Sequence, residues 1–266
     1  MGQTRITSLH NPRIKSVVKL RKRRERDRQD LMLIEGFREL TRALDAGIDV
    51  REVFICPHHV SSEDEKQAIA ALELGEARRF EVNSKVYAKL AYREASSCLV
   101  AVARKRTHEL ESMPAVGNPF YLVVDAVEKP GNLGAMLRSA DAAGAAGLIV
   151  TDPGTDIYNP NVIRASLGTI FTVPLAVADA ESAIRWLKGQ SIGIFAATPE
   201  GGVPYTDVDL SSPCAIVVGR EDLGLGGRWL EAADEGILIP MRGKADSLNV
   251  SAAAAVLLYE ALRQRT

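Results

Sequence analysis

From Phe120 to the end of the chain one pattern repeats: a short run that is apolar at nearly every position, then a stretch with helical periodicity. The runs are YLVVDAV, LIVTD, TVPLAVA, IGIFAAT, AIVVG and GILIP. A strand that is apolar on both faces has to be covered on both faces, which is the mark of a parallel sheet between two layers of helices. The pattern therefore predicts an α/β domain, with helices expected from about 133 to 143, 180 to 188 and 251 to 265.

The first hundred residues alternate less regularly. A short apolar strand (LMLIE) leads into a helix with Phe37, Leu40, Ala43 and Leu44 at three- and four-residue spacing, and further strands and helices follow as far as the run ending at Ala103. Ahead of them, residues 13–28 hold nine lysines and arginines, with Ile14, Val17, Val18 and Leu20 as an apolar stripe. This reads as one basic amphipathic helix, either a solvated face or a strip that contacts phosphates through Arg21, Arg23 and Arg24. Periodicity fades after Arg104, where two prolines and a glycine mark a linker. The expected organisation is a smaller α/β domain over 1–105, a linker over 106–118 and a parallel-sheet domain over 119–266.

Composition narrows the function. With 46% hydrophobic and 25% charged residues the chain reads as a water-soluble globular protein, and its apolar runs fall short of the roughly 18 residues of a membrane span. The N-terminus has no apolar core of a secretory signal, so the cytoplasm is the expected compartment. Cys56, Cys98 and Cys214 are widely separated with no zinc-ligand spacing, which predicts buried thiols and no metal site. His10, His58, His59 and His108 have no catalytic pattern around them. A net charge of −1 disfavours a polyanionic partner on average, but the basic N-terminal run stands apart from that average.

Three strand ends carry polar residues and glycines where α/β folds place ligands. The first is Asp125-Ala-Val-Glu-Lys-Pro-Gly-Asn-Leu-Gly-Ala-Met-Leu-Arg138, with Asn132 at a helix start and Arg138 a turn inside it. It is neither a dinucleotide fingerprint nor a P-loop. The second, Val218-Gly219-Arg-Glu221-Asp-Leu-Gly-Leu-Gly226, sets a carboxylate two residues past a glycine that would let a ligand lie against the main chain. In the third, Ile239-Pro-Met241-Arg-Gly-Lys-Ala-Asp-Ser247-Leu248-Asn249-Val-Ser251, a strand breaks at Pro240 and Ser247 is a candidate cap for an alanine-rich helix. Taken singly, each is also explained by ordinary helix capping and packing.

Together and in this order, PGNLGAMLRSADAAGA, VVGREDLGLG and IPMRGKADSLNVSAAAAVLLYE resemble the three motifs of the SpoU (TrmH) family of RNA 2'-O-ribose methyltransferases. The resemblance covers residues 118–266. The preceding domain, with ITSLHNPRIK and LIEGFRELTRAL, is more loosely similar to the L30e-like RNA-binding domain of some members.

The resemblance implies a SPOUT fold whose C-terminal segment, from about Thr198, forms a deep trefoil knot, an exception to the rule against knots. It implies S-adenosylmethionine as cofactor, bound by Gly219, Ile239 and Leu248 with Thr198, Met241 and Asn249 nearby, and no metal. It implies a homodimer acting on structured RNA. Arg138 would act on the ribose hydroxyl, with Asn132, Glu221, Ser247 and Asn249 as the other polar site residues and Arg164 as a further RNA contact. A guanidinium stays protonated, so Arg138 would orient the hydroxyl or stabilise oxyanion charge. The substrate expected from the accessory domain is 23S ribosomal RNA. Transfer RNA, and a ribosome-associated RNA binder without turnover, remain alternatives.

Overall fold

The computed structural model describes residues 4–92, 97–115, 117–199, 202–220 and 223–266. The chain separates into two compact units, Met1–Arg106 with Tyr158–Thr172, and Thr107–Ile157 with Val173–Thr266.

The first unit carries strands β1 (Thr4–Ile6), β2 (Leu31–Glu35), β3 (Val50–Ile55), β4 (Arg78–Val82) and β5 (Leu99–Arg104) in the order β1-β4-β3-β5-β2. β1, β4 and β3 run parallel, while β5 is antiparallel to both β3 and β2. Helices α1 (Pro12–Lys19), α2 (Arg23–Gln29), α3 (Phe37–Asp45), α4 (Glu63–Ala71) and α5 (Ser84–Leu90) cover it. Ile14, Val17, Leu20, Tyr87 and Leu90 bury against the stacked Phe54 and Phe80 rings, whose centroids are 5.1 Å apart.

The basic run is therefore two helices, not one. α1 ends at Leu20, and the chain turns through Arg21 and Lys22 before α2 begins. The turn is held by Arg26, which is 2% exposed and donates from Nη1 to the carbonyls of Leu20 at 2.8 Å and Arg21 at 2.9 Å. Those are orphan carbonyls at a helix end, and a guanidinium satisfies them well. Arg26 is thus turned inward, away from any partner in solvent.

The second unit holds β6 (Phe120–Asp125), β7 (Gly147–Thr151), β8 (Leu175–Ala178), β9 (Gly193–Ala197), β10 (Val203–Pro204), β11 (Cys214–Val218) and β12 (Glu235–Leu238). All pairings are parallel, in the order β10-β12-β9-β11-β6-β7-β8. Every residue of β6, β7 and β11 is buried, as the uninterrupted apolar runs predicted. Helices α6 (Pro130–Ala142), α8 (Ala180–Gly189), α9 (Gly227–Ala232) and α10 (Val250–Arg265) flank the sheet. The remaining helix, α7 (Pro160–Ala165), lies between β7 and β8 in sequence yet belongs to the first unit, where it packs on β2.

The stretch read as a linker is structured over its middle. Leu110 and Met113 are buried in the second unit's core, and the His108 carbonyl accepts from the Val177 amide at 2.9 Å. All three cysteines are free and buried. Burial, with the Glu65 carboxylate beside it, pushes the Cys98 thiol up to about 12. Among the described residues no helix is long and apolar enough to cross a membrane.

Candidate active site

The carboxyl ends of β12, β9 and β11, three neighbours in the sheet, open onto one cavity of 310 Å³. Thr198 follows β9, Gly219 and Arg220 follow β11, and Ile239 and Met241 follow β12; Ser247 and Leu248 come in from the segment before α10. Carboxyl ends of parallel strands are where open α/β sheets bind ligands, because the loops there diverge and leave main-chain groups unpaired by the ladder. The volume lies at the lower end of the roughly 300–1,000 Å³ usual for small-molecule sites.

Gly219 lines the cavity and has a further, local reason to be glycine. A Cβ there would collide with the carbonyl of Gly224 and the amide of Leu225, so the missing side chain makes room for the loop's own return. Arg220 and Gly224 exchange main-chain hydrogen bonds of 3.0 and 3.1 Å that close this turn, and Gly224 has a φ of +67°. A folded-back main chain thus forms one wall of the cavity. Glu221 lies outside the described residues.

The helix cap is also reassigned, from Ser247 to Asn249. The Asn249 Oδ1 accepts from the Ser251 amide at 3.0 Å and from the Ser251 hydroxyl at 2.6 Å, which satisfies donors at the start of α10. Its Nδ2 donates to Asn132 Oδ1 at 3.4 Å. Asn249 therefore joins the third glycine-rich stretch to the first, across the packed pair α6 and α10. Ser247 is left exposed on the cavity wall.

Arg138 is exposed, and its guanidinium shows no hydrogen bond or ion pair among the described residues. α6 begins at Pro130, three residues earlier than its apolar periodicity suggested, so Arg138 stands eight residues in, about two turns and not one. It projects near the helical face that carries Gly131, seven residues before it, where a Cβ would meet nothing within 4 Å. Arg138 does not line the cavity, and neither does Asn249; Thr198, Gly219, Ile239, Met241, Ser247 and Leu248 do.

Two charged residues missed in the sequence also line it, Arg220 and Asp246. Arg220 pairs with Glu128 at 3.0 Å, across the loops after β11 and β6. Both residues lie inside the second and third of the three stretches, beside Glu221 and Ser247, which had been singled out instead.

The proposed RNA contacts divide. Arg21 is half-buried, and its Nη2 donates to the Lys89 carbonyl at 3.0 Å and to that of Ala91, at the end of α5, so part of its guanidinium is committed to the fold. Arg23 is exposed and pairs loosely with Asp27 at 3.5 Å, and Arg24 is exposed. Arg164 is half-buried on α7 and so belongs to the first unit, not to the unit that carries the cavity. No cluster of three or more metal-ligating side chains occurs among the described residues.

A parallel sheet with a cavity across the carboxyl ends of adjacent strands is the architecture of an α/β small-molecule binder. Comparison with known proteins narrows that class. Residues 119–259 match the SpoU rRNA Methylase family, and residues 11–101 match the MRM3-like substrate binding domain. The chain belongs to the SpoU rRNA methylase family. It is 30% identical over 254 residues to the 23S rRNA (guanosine(2553)-2'-O)-methyltransferase RlmP of Bacillus subtilis, covering 96% of this chain and 97% of that one. Among solved structures it resembles an RNA 2'-O ribose methyltransferase at 44% identity and a TM-score of 0.87, over 98% of this chain and 99% of the other. An S-adenosylmethionine-bound rRNA methyltransferase from Sinorhizobium meliloti aligns at 31% identity and a TM-score of 0.88, over 98% and 97%.

Proposed function

We propose that the chain methylates a ribose 2'-hydroxyl in 23S ribosomal RNA, with S-adenosylmethionine as methyl donor. The observation that carries this is the convergence of Thr198, Gly219, Ile239, Met241, Ser247 and Leu248 on one cavity at the strand ends, tied to α6 through the Asn249–Asn132 bond. Similarity over nearly the full length to a 23S-modifying enzyme favours ribosomal over transfer RNA.

The cavity fits the cofactor. Leu225, Ile239 and Leu248 offer apolar surface for a flat base, and main-chain groups at the ends of β9, β11 and β12 offer donors and acceptors for its edge. Gly219, Ile239 and Leu248 hold it through main chain, with Thr198 and Met241 alongside. Asn249 acts indirectly, by fixing the start of α10. When bound, S-adenosylmethionine supplies an electrophilic methyl group.

The protein's own part is positioning and charge. Holding the ribose hydroxyl in line converts a bimolecular encounter into a local one. Arg138, a permanent cation with no carboxylate partner among the described residues, stabilises the oxygen as it loses its proton, directly or by gripping the adjacent phosphate. Asn132 and Ser247 orient the hydroxyl, and Glu221 completes the polar set. The reading extends to a homodimer in the cytoplasm, with the segment from Thr198 onward forming a trefoil knot. The insertion of β11 between β6 and β9 supports such a crossing.

Labelled S-adenosylmethionine, the protein and 23S ribosomal RNA from cells lacking it should yield label in RNA, at one mapped 2'-O-methyl position. RNA binding with no transferred label would leave an RNA binder and sink the enzyme reading.

A further inference from the structure

We propose that an open cleft at one end of the first unit's sheet is a docking track for the phosphodiester backbone of the substrate RNA; the proposal rests on the ribosomal RNA reading above. The cleft measures 780 Å³ and lies where β3 and β4 begin and β5 ends, beside the first turn of α1. Register brings these ends together. Glu52 pairs with Arg78 across β3 and β4, and Val50 pairs with Ala103, next to Arg104, across β3 and β5.

Four arginines border the cleft, Arg13, Arg51, Arg78 and Arg104, and they come two to a carboxylate. Arg13 and Arg78 both reach the same Glu52 oxygen, at 3.0 and 2.7 Å. Arg51 and Arg104 both reach the same Asp49 oxygen, at 2.5 and 3.5 Å. Four cations against two anions leave a surplus of positive charge. The first pair's carboxylate is recessed, with the Glu52 side chain 13% exposed against 63% for Arg78.

A guanidinium carries five donors in a planar fork, so sharing one carboxylate oxygen leaves N–H groups for a second acceptor. Phosphate oxygens match that fork. α1 adds to the field, since Asn11, Pro12 and Arg13 line the cleft and its first turn has no acidic residue.

The size and surroundings select a polymer over a free anion. The cleft is far larger than one phosphate. Leu20 and Gln29 line it as well, and they bracket the corner where Lys22, Arg23 and Arg24 stand exposed, so the positive surface continues past the cleft. A neighbouring hollow shares Arg51 and Arg78 but is lined by Asp49, Glu73 and Glu76, which repel a polyanion. That fixes the side on which the track runs.

The test uses the full chain and a 23S ribosomal RNA transcript in filter binding between about 50 and 200 mM salt. The double variant Arg51→Gln, Arg104→Gln should bind about tenfold more weakly at low salt and flatten the slope of log affinity against log salt by about 2, one per lost contact. Affinity for S-adenosylmethionine, read by calorimetry, should match wild type. Arg51→Lys with Arg104→Lys should restore the slope, because charge is what it reports, and Glu73→Gln with Glu76→Gln should bind RNA equally or more tightly. An unchanged slope in the Gln pair, or an equal loss in the Glu73 and Glu76 pair, overturns the track. So does millimolar inorganic phosphate that abolishes the difference, which would assign the cleft to a free anion. If wild type transfers no methyl group to RNA while the slope still shifts, the enzyme reading fails alone; if transfer is robust and the slope holds, the track fails alone.

Discussion

The two halves of this chain are built from the same α/β material and handle polar groups in opposite ways. Residues 1–106 hold 22 lysines and arginines against 15 aspartates and glutamates, and residues 107–266 hold 11 against 19. In the first, excess guanidiniums stand at a sheet end around shared carboxylates. In the second, the cavity is walled by apolar side chains and main chain at strand ends, with few charges in it. A small, flat ligand is recognised by shape and main-chain hydrogen bonds, and these need a rigid parallel sheet. A long polyanion is recognised by displaced counterions, and these need surface charge that the near-neutral total conceals.

The sharpest way to break the comparison is at Arg138, a cation that the acidic half presents without an ion-pair partner among the described residues. Arg138→Ala should lower the rate of methyl transfer about a hundred- to a thousandfold. Affinity for S-adenosylmethionine should be nearly intact, since Arg138 does not line the cavity. Calorimetry beside single-turnover transfer separates the two, and a large loss of cofactor affinity would show that the cavity extends to α6.

Arg26 makes the opposite point within the basic half, where one cation is structural. Arg26→Ala removes the donors that hold the Leu20 and Arg21 carbonyls and should destabilise the first unit by about 3 kcal/mol. Thermal unfolding should show it as a lower melting temperature at any salt concentration. A melting temperature equal to wild type would return Arg26 to the surface.

Much of this division was legible in the sequence, for reasons that differ by residue. Uninterrupted apolar runs announced β6, β7 and β11 because burial on both faces leaves a pattern in the chain itself. The cavity was legible because parallel strands put the loops at their carboxyl ends, here the polar and glycine-bearing ones, on the same edge of the sheet. Arg26 was not: within a run of arginines, nothing local tells the one that turns inward from its neighbours. The cap at Asn249 was also hidden, since Ser247 and Asn249 are both good caps and only the path of the chain chooses between them. α7 sits in sequence among the strands of the second unit, and its place on β2 comes from long-range packing that no periodicity reports.

Gly219 sharpens the contrast at the cavity. If its wall is main chain folded back on itself, Gly219→Ala should weaken S-adenosylmethionine binding by about 1–3 kcal/mol, through overpacking against Gly224 and Leu225. RNA affinity, which the proposed track assigns to the first unit, should stay within twofold or so of wild type. Cofactor binding at wild-type strength would mean the loop yields, and the wall is softer than its hydrogen bonds suggest.

The smallest expected effect concerns the exposed corner between α1 and α2. Arg24→Ala should flatten the salt dependence of RNA binding by about 1, with a modest loss of affinity, and Arg23→Ala should do less because Asp27 already neutralises part of its charge. Arg21→Ala should leave the slope unchanged and lower the melting temperature, since its guanidinium holds the end of α5. The three substitutions differ only in where a like charge points, so a uniform response would mean that the whole run acts as one smeared cation. A graded one, with Arg21 silent in the slope, means that the fold has sorted its arginines into those that hold the unit together and those that meet the RNA.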